Sequence, residues 1–312
     1  MQQFAALNAS KANFDDIYDQ PDPRAYFSVL GALDYMIPDV AEPIIRQILT
    51  ARYQRAGAHA TVLDLGCSYG INAAVHRFPL SVRVLCRRYA NPEMAALNAD
   101  DLACLDRSYY ASWPQVGAAR FIGLDVSAPA VRYALAVGLL DAGVVANFES
   151  GPPSPQDRQS LRRANVVLST GCVGYVTERT FGSILDCTGE APWVVSFVLR
   201  MFPYEPIAAE LGKRGLVTEK LAGATFVQRR FRDLKEFTDC LTTLEKLNID
   251  TRGLEAEGRF QAELFVSRPR ADVEAAPLAK IVKVVSGRNR TIGTRYVRVG
   301  RGARAQVMRV PA

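Results

Sequence analysis

From Thr61 onward, short apolar runs alternate with amphipathic stretches, and this alternation constrains the fold more than any other feature of the chain. TVLDLGC is a compact apolar run ending in small residues, as suits a buried parallel strand. ARFIGLDVS (119–127) predicts a second strand and APAVRYALAVGLLDAG the helix after it. VVANFE predicts a third, short strand, and SPQDRQSLRR a helix opened by Ser154. ANVVLSTG, PWVVSFVLRMF and FQAELFVSRP follow as strands, with TERTFGSILDCTG and LKEFTDCLTTLEKLNI as helices among them. Such alternation builds a doubly wound, mostly parallel α/β sheet.

Upstream, residues 14–57 read as helical, after a loose arm over 1–13. In RAYFSVLGALDYM, the apolar residues Tyr26, Phe27, Val29, Leu30, Leu33 and Tyr35 cluster, giving a helical face. Pro38 interrupts, and EPIIRQILTARYQ forms a second helix with Pro43 near its first turn. Residues 79–117 exceed what a strand–helix–strand unit needs. Their helical patches and the aromatics Tyr109, Tyr110 and Trp113 suit a cap or a homodimer contact. The expected plan is a helical cap or lid (1–57), a sheet domain (58–270) and a C-terminal extension (271–312).

That extension is basic. Nine Lys/Arg and no acid follow Ala275, so they supply more than the whole net charge of +6. It suits contact with nucleic acid, or else a loosely attached tail; the second is favoured because Tyr296 is its only aromatic. Six cysteines without a CxxC pair, and two histidines, provide no metal-ligand spacing and no disulfide framework. No run of about 18 apolar residues and no signal-like N-terminus occur, so the expected setting is cytoplasmic, without a membrane span.

The first predicted strand leads into Asp64-Leu65-Gly66-Cys67-Ser68-Tyr69-Gly70, and Ile71-Asn72 opens a helix. A glycine turn there lets backbone approach a ligand, and the helix start adds N–H donors. Asp64 inside the turn opposes a phosphate and favours a cationic amino group. Asp125, ending the second strand, is placed to accept hydrogen bonds from ribose hydroxyls. Together these describe a ligand with an adenosine part and a zwitterionic end, the pattern of S-adenosylmethionine (SAM).

VLDLGCSYG, followed by GLDVS and AVRYA, resembles the class I (Rossmann-like) SAM-dependent methyltransferases. Asp64, Gly66 and Gly70 match their acid-x-Gly-x-Gly-x-Gly turn, with Ser68 in place of the middle glycine. The resemblance covers roughly residues 60–268 and implies a seven-stranded sheet and SAM as cofactor. It implies that Asp64 and Gly66 face the methionyl amino group, and Asp125 the ribose. It further implies that Asn147 and Phe148, after the third strand, lie near the adenine. Cys67, Ser68, Asn72, Val126, Ser169 and Thr170 complete the candidate cofactor set. The 61 residues between Asp64 and Asp125 depart from the family pattern and hold the insertion.

For chemistry, the loop after the fourth strand provides Thr170 and Tyr175, and Arg200 after the fifth is placed to pair with a substrate carboxylate. Gln228 and Arg229 are further polar candidates, and Tyr18 and Tyr26 belong to the lid. No histidine stands at a strand end as a base; His76 reads as structural. The leading expectation is methylation of a small molecule. Two alternatives stand beside it: attack on the aminocarboxypropyl arm, including cyclisation of SAM to azetidine-2-carboxylate, and a nucleic-acid methyltransferase using the tail.

Overall fold

The computed structural model describes residues 15–285, 287–288, 294–300 and 302–311, so the arm over 1–13 lies outside the described residues. Five strands run parallel: β1 (Thr61–Leu65), β2 (Arg120–Asp125), β3 (Ala142–Val145), β4 (Val166–Thr170) and β5 (Trp193–Leu199). β6 (Leu216–Lys220) and β7 (Thr225–Arg230) lie end to end along one edge of the antiparallel β8 (Arg259–Pro269), whose other edge pairs with β5. The extension adds β9 (Gly287–Arg288), β10 (Thr294–Val299) and β11 (Gln306–Pro311). The order across the sheet is β3-β2-β1-β4-β5-β8-β7-β11-β10-β9, with β6 off this path. This is the doubly wound sheet that the alternation predicts.

The strands that read as unbroken apolar runs are those covered on both faces: every residue of β5 is buried, as are Val62 to Leu65 of β1. β2 carries Gly123, where an added Cβ would sit 2.6 Å from the Sγ of Cys67. Only the bare backbone there lets the turn after β1 close over β2.

Several boundaries differ from expectation. The third strand is Ala142–Val145 rather than VVANFE, because Asn147 turns the chain by capping the N–H of Glu149 with its own Oδ1. Pro38 does not interrupt the second N-terminal helix but sits in its first turn: the helix runs Ile37–Ala56, where a missing N–H costs nothing, and Pro43 lies inside it. The insertion forms three helices, Val82–Tyr89, Pro92–Ala95 and Ala99–Ala111. It leans on the helix Arg24–Ala32, where Arg24 donates to the carbonyls of Met94 (2.9 Å) and Leu97 (2.8 Å). Fully buried Asp106 accepts from Arg88, Tyr89 and Tyr133, and so fastens the insertion to the helix Ala128–Ala136.

The largest correction concerns sheet size. Among the described residues the sheet has eleven strands, not seven. β6 is an additional strand, and the basic extension continues the sheet instead of hanging from it. β11 pairs in parallel with β7 at Gln306↔Thr225 and Val307↔Phe226, covering an edge that would otherwise present unpaired backbone. Arg309 then reaches across to Asp39 and Asp34. Burial raises the Asp39 carboxyl, and Arg309 opposes that rise. Arg309→Ala takes a cation from this buried carboxylate and is expected to lower unfolding free energy by about 3 kcal/mol in urea denaturation. Unchanged stability would mean that Arg309 does not hold the extension in place.

Candidate functional site

The turn after β1 takes three left-handed backbone positions, Gly66 (φ 72°), Ser68 (φ 47°) and Gly70 (φ 79°). Serine is sterically disfavoured there. Its backbone N–H, however, donates to Asp125 Oδ2 at 2.8 Å, which holds the strained conformation in place. The helix that follows, Ile71–Arg77, is only seven residues long. The turn, more than a helix macrodipole, therefore shapes the local donor field.

Asp125 uses its other oxygen to accept from the N–H of Ser127 at 3.0 Å. Ser127 in turn donates through Oγ to the carbonyl of Tyr18 at 2.7 Å. Tyr69, inside the glycine turn, exchanges hydrogen bonds with the backbone of Gln20 at 2.9 and 3.1 Å. The N-terminal segment is thus tied to both strand-end loops. Above them, the rings of Tyr18 and Tyr26 meet edge to face at 5.5 Å, and Tyr26 also meets Tyr35 and Tyr69.

Behind the turn, Asn72 donates through Nδ2 to Asp64 Oδ1 (2.8 Å) and to Thr170 Oγ1 (2.9 Å). Asp64 is fully buried and its Oδ2 has no hydrogen-bond partner among the described residues. Burial pushes its carboxyl up to about 7; the Asn72 hydrogen bond opposes the rise and the charge of Asp125 adds to it.

At the end of β3, Phe148 is buried and Glu149 accepts from Thr177 N–H (2.8 Å), Thr177 Oγ1 (2.9 Å) and Thr180 Oγ1 (2.6 Å). Burial works to raise the Glu149 carboxyl, but these hydrogen bonds outweigh it and hold the group below the usual range. They also fix the loop after β4, where Gly171 (φ 97°) and Gly174 (φ 108°) bring bare backbone against Gln228 and Phe202.

These parts enclose a cavity of about 780 Å³ at the carboxyl ends of β1, β2 and β4, where open α/β sheets bind ligands. Gly66, Cys67, Ser68 and Asn72 line it from the first turn, and Asp125 and Val126 from the second strand. Asn147 and Phe148 contribute from β3, Thr170 and Tyr175 from β4, and Tyr18 and Tyr26 from the lid. Gln228 and Arg229 line it from β7. Arg229 is held by Glu236 through paired bonds of 2.7 and 2.8 Å. The Gln228 side chain is buried and makes no hydrogen bond among the described residues.

Four expected residues stand elsewhere. Asp64, Gly70 and Ser169 lie behind the lining: Asp64 is hydrogen-bonded to the lining residue Asn72, Gly70 packs against Ala134 and Leu139, and Ser169 is fully buried. Arg200 is the clear correction. It does not line the cavity but pairs with Glu255 at 2.6 Å and donates to the carbonyl of Asp250, because the chain just after β5 stays paired with β8, the Arg200 N–H donating to the Gln261 carbonyl. His76 is buried, with Nδ1 3.4 Å from Glu42. No histidine is among the lining residues, and no metal-ligand cluster occurs among the described residues. Sequence reading missed Asp19, Tyr35, Ser127 and Thr180. Ser127 alone left a signal, as the cap that opens the helix after β2.

The raised carboxyl of Asp64 has a stability consequence. An unfolded aspartate titrates near 3.8, so between there and about 7 the folded chain holds a proton that the unfolded chain releases. Stability contributed by that proton is present at low pH and lost as pH rises through the window, by roughly 1 kcal/mol per pH unit. Glu255, also raised to about 7 by burial, titrates alongside it. Asp64→Asn keeps the Asn72 bond, so the difference between wild type and variant isolates Asp64. The variant is expected to lose less stability than wild type between pH 5 and 8 in urea unfolding; parallel pH profiles would contradict the burial argument.

No protein-family model matches the chain, and no curated protein does. Solved structures similar to it include the plantazolicin methyltransferase BpumL in complex with SAH, at 11% identity over 86% of this chain and 98% of that one, TM-score 0.41. Another is a TehB-like SAM-dependent methyltransferase from Corynebacterium glutamicum, at 14% identity over 70% and 86%, TM-score 0.34. A third is the magnesium protoporphyrin IX methyltransferase ChlM from Synechocystis with bound SAM, at 12% identity over 73% and 80%, TM-score 0.33. By its own strand order and the strand–turn–helix from Asp64 to Asn72, the chain has the fold of the class I SAM-dependent methyltransferases.

Proposed function

We propose that this protein is a SAM-dependent methyltransferase acting on a small molecule. The observation that carries the reading is the convergence of the left-handed Gly66–Gly70 turn, the Asp125 carboxylate and Phe148 on one cavity of about 780 Å³. That volume falls within the usual range for small-molecule sites, roughly 300–1,000 Å³.

The residues present fit SAM. The backbone of Gly66 to Ser68, with Asn72, would hold the amino-acid end. The buried Asp64 carboxyl behind Asn72 would be drawn toward its charged form by an ammonium group there, and so favours one. Asp125 would take the ribose hydroxyls, and Val126, Asn147 and Phe148 the adenine. Bound there, SAM supplies a methyl carbon on a sulfonium, open to in-line displacement by a nucleophile.

The protein's share is alignment and exclusion of water. The segment from Tyr18 to Tyr35, tied down through Ser127 and Tyr69, roofs the cavity with aromatic rings. Tyr175 stands at the rim, 53% exposed, placed to meet an acceptor as it enters. Gln228 offers an amide that an acceptor can both donate to and accept from. With no histidine in the lining, the acceptor best served is one that attacks without losing a proton first, such as a neutral amine, or one already ionised.

Asp125→Ala is expected to weaken SAM by roughly 1–3 kcal/mol in calorimetry, since it removes the carboxylate and frees the Ser68 turn. Unchanged affinity would remove Asp125 from the ribose site. Mass spectrometry of wild type incubated with SAM alone, beside a protein-free control, tests the reaction class. Retention of intact SAM is the expected outcome. Methylthioadenosine above control with azetidine-2-carboxylate would overturn methyl transfer and identify attack on the aminocarboxypropyl arm.

A further inference from the structure

We propose that the chain carries a second binding site, for a small oxyanion of the phosphate or carboxylate class, at the opposite end of the sheet from the first cavity. Trp193 opens β5 in register with Val166 at the start of β4, whereas the first cavity lies beyond the other end of β4. Here a separate cavity of about 550 Å³ is bounded by the helix Ile37–Ala56, the β5 and β8 strand ends, and the segment that follows β8.

Its wall is rich in positive charge. Arg46, Arg55, Arg268 and Lys280 line it, against a single acid, Asp272. That acid is occupied, accepting from Trp193 Nε1 at 2.8 Å and from Arg55 at 2.7 Å. Arg46 is engaged with Glu42 and with the carbonyls of His76 and Val116. Lys280 is exposed and makes no ion pair among the described residues.

Arg268 is the observation that points to a ligand. Its side chain is 1% exposed, and its guanidinium lies 5.0 Å from the centre of the Trp193 ring. One nitrogen, Nη2, pairs with Glu219. Glu219 is itself committed, its other oxygen accepting from the N–H of Leu278 at 2.8 Å. The remaining nitrogens, Nε and Nη1, have no hydrogen-bond partner among the described residues. Buried charged donors without acceptors are destabilising and rare in folded proteins. An anionic oxygen seated against this wall would satisfy one of them, with Lys280 closing over it from the short helix Leu278–Ile281. The cavity and its charge suit a small phosphorylated or carboxylated molecule; an unbalanced cation would find no acid free to receive it.

The test uses the full chain, titrated calorimetrically with potassium phosphate and, separately, with potassium succinate, each against potassium chloride at matched ionic strength. Saturable binding of one of the two oxyanions is expected, with a rise in unfolding temperature that chloride does not give. Whichever binds identifies the ligand class. Arg268→Met is expected to weaken it roughly tenfold or more. Lys280→Glu, at an exposed position with no ion pair among the described residues, is expected to weaken it likewise and decides the matter if Arg268→Met does not fold. SAM binding by Lys280→Glu should match wild type, which separates this site from the first cavity. Binding of neither oxyanion above chloride, or equal binding by wild type and Lys280→Glu, would overturn the proposal.

Discussion

The carboxylate of Asp125 is the hinge on which the first cavity depends. One oxygen accepts from Ser68, the other from Ser127. Through the first, the end of β2 holds the turn after β1 in a backbone shape that serine adopts only under constraint. Through the second, it fixes the residue that receives the N-terminal segment at Tyr18. A single acid thus couples the turn, the neighbouring strand and the roof. These elements lie far apart in sequence, so the cavity exists only once the sheet has formed.

Electrostatics in the cavity follows from depth. Asp64 and Asp125 are both strand-end acids, yet their environments differ. Asp125 is partly exposed and satisfied by backbone donors, whereas Asp64 is sealed behind Asn72 with one oxygen unmatched. Burial drives Asp64 toward its neutral form at a pH where a solvated aspartate is charged. Under the proposed function, an ammonium group arriving on the other side of Asn72 would draw it back to the carboxylate, linking ligand binding to proton release.

The sheet beyond β5 obeys another constraint. An antiparallel β8 needs a partner on its outer edge, which β6 and β7 supply in line, broken at Leu221 to Ala224 where Gly223 takes φ 78°. β7 carries Gln228 and Arg229 into the cavity, and β11 covers its far side. The basic extension therefore buttresses a wall of the site. Its charges are drawn in part to Asp39, Asp34 and Asp250 of the folded body.

The alternation from Thr61, the glycine turn and the acid at the end of β2 were legible in the chain itself, because strand burial, left-handed turns and strand-end acids each impose a local residue pattern. Ser154 announced its helix for the same reason: capping is settled within three residues. What the sequence left open was decided by contacts between distant segments. Arg200 stood at a strand end, as a substrate-binding arginine would, and only the fold brought Glu255 to it. Tyr35 read as one more apolar position on a helical face until the turn after that helix aimed it at the cavity. The extension read as a basic tail with no local feature naming its partner, since an edge strand is recruited by unpaired backbone rather than by side chains. Local conformation was written in neighbouring residues, whereas the pairing of charges and edges across the molecule required the assembled sheet.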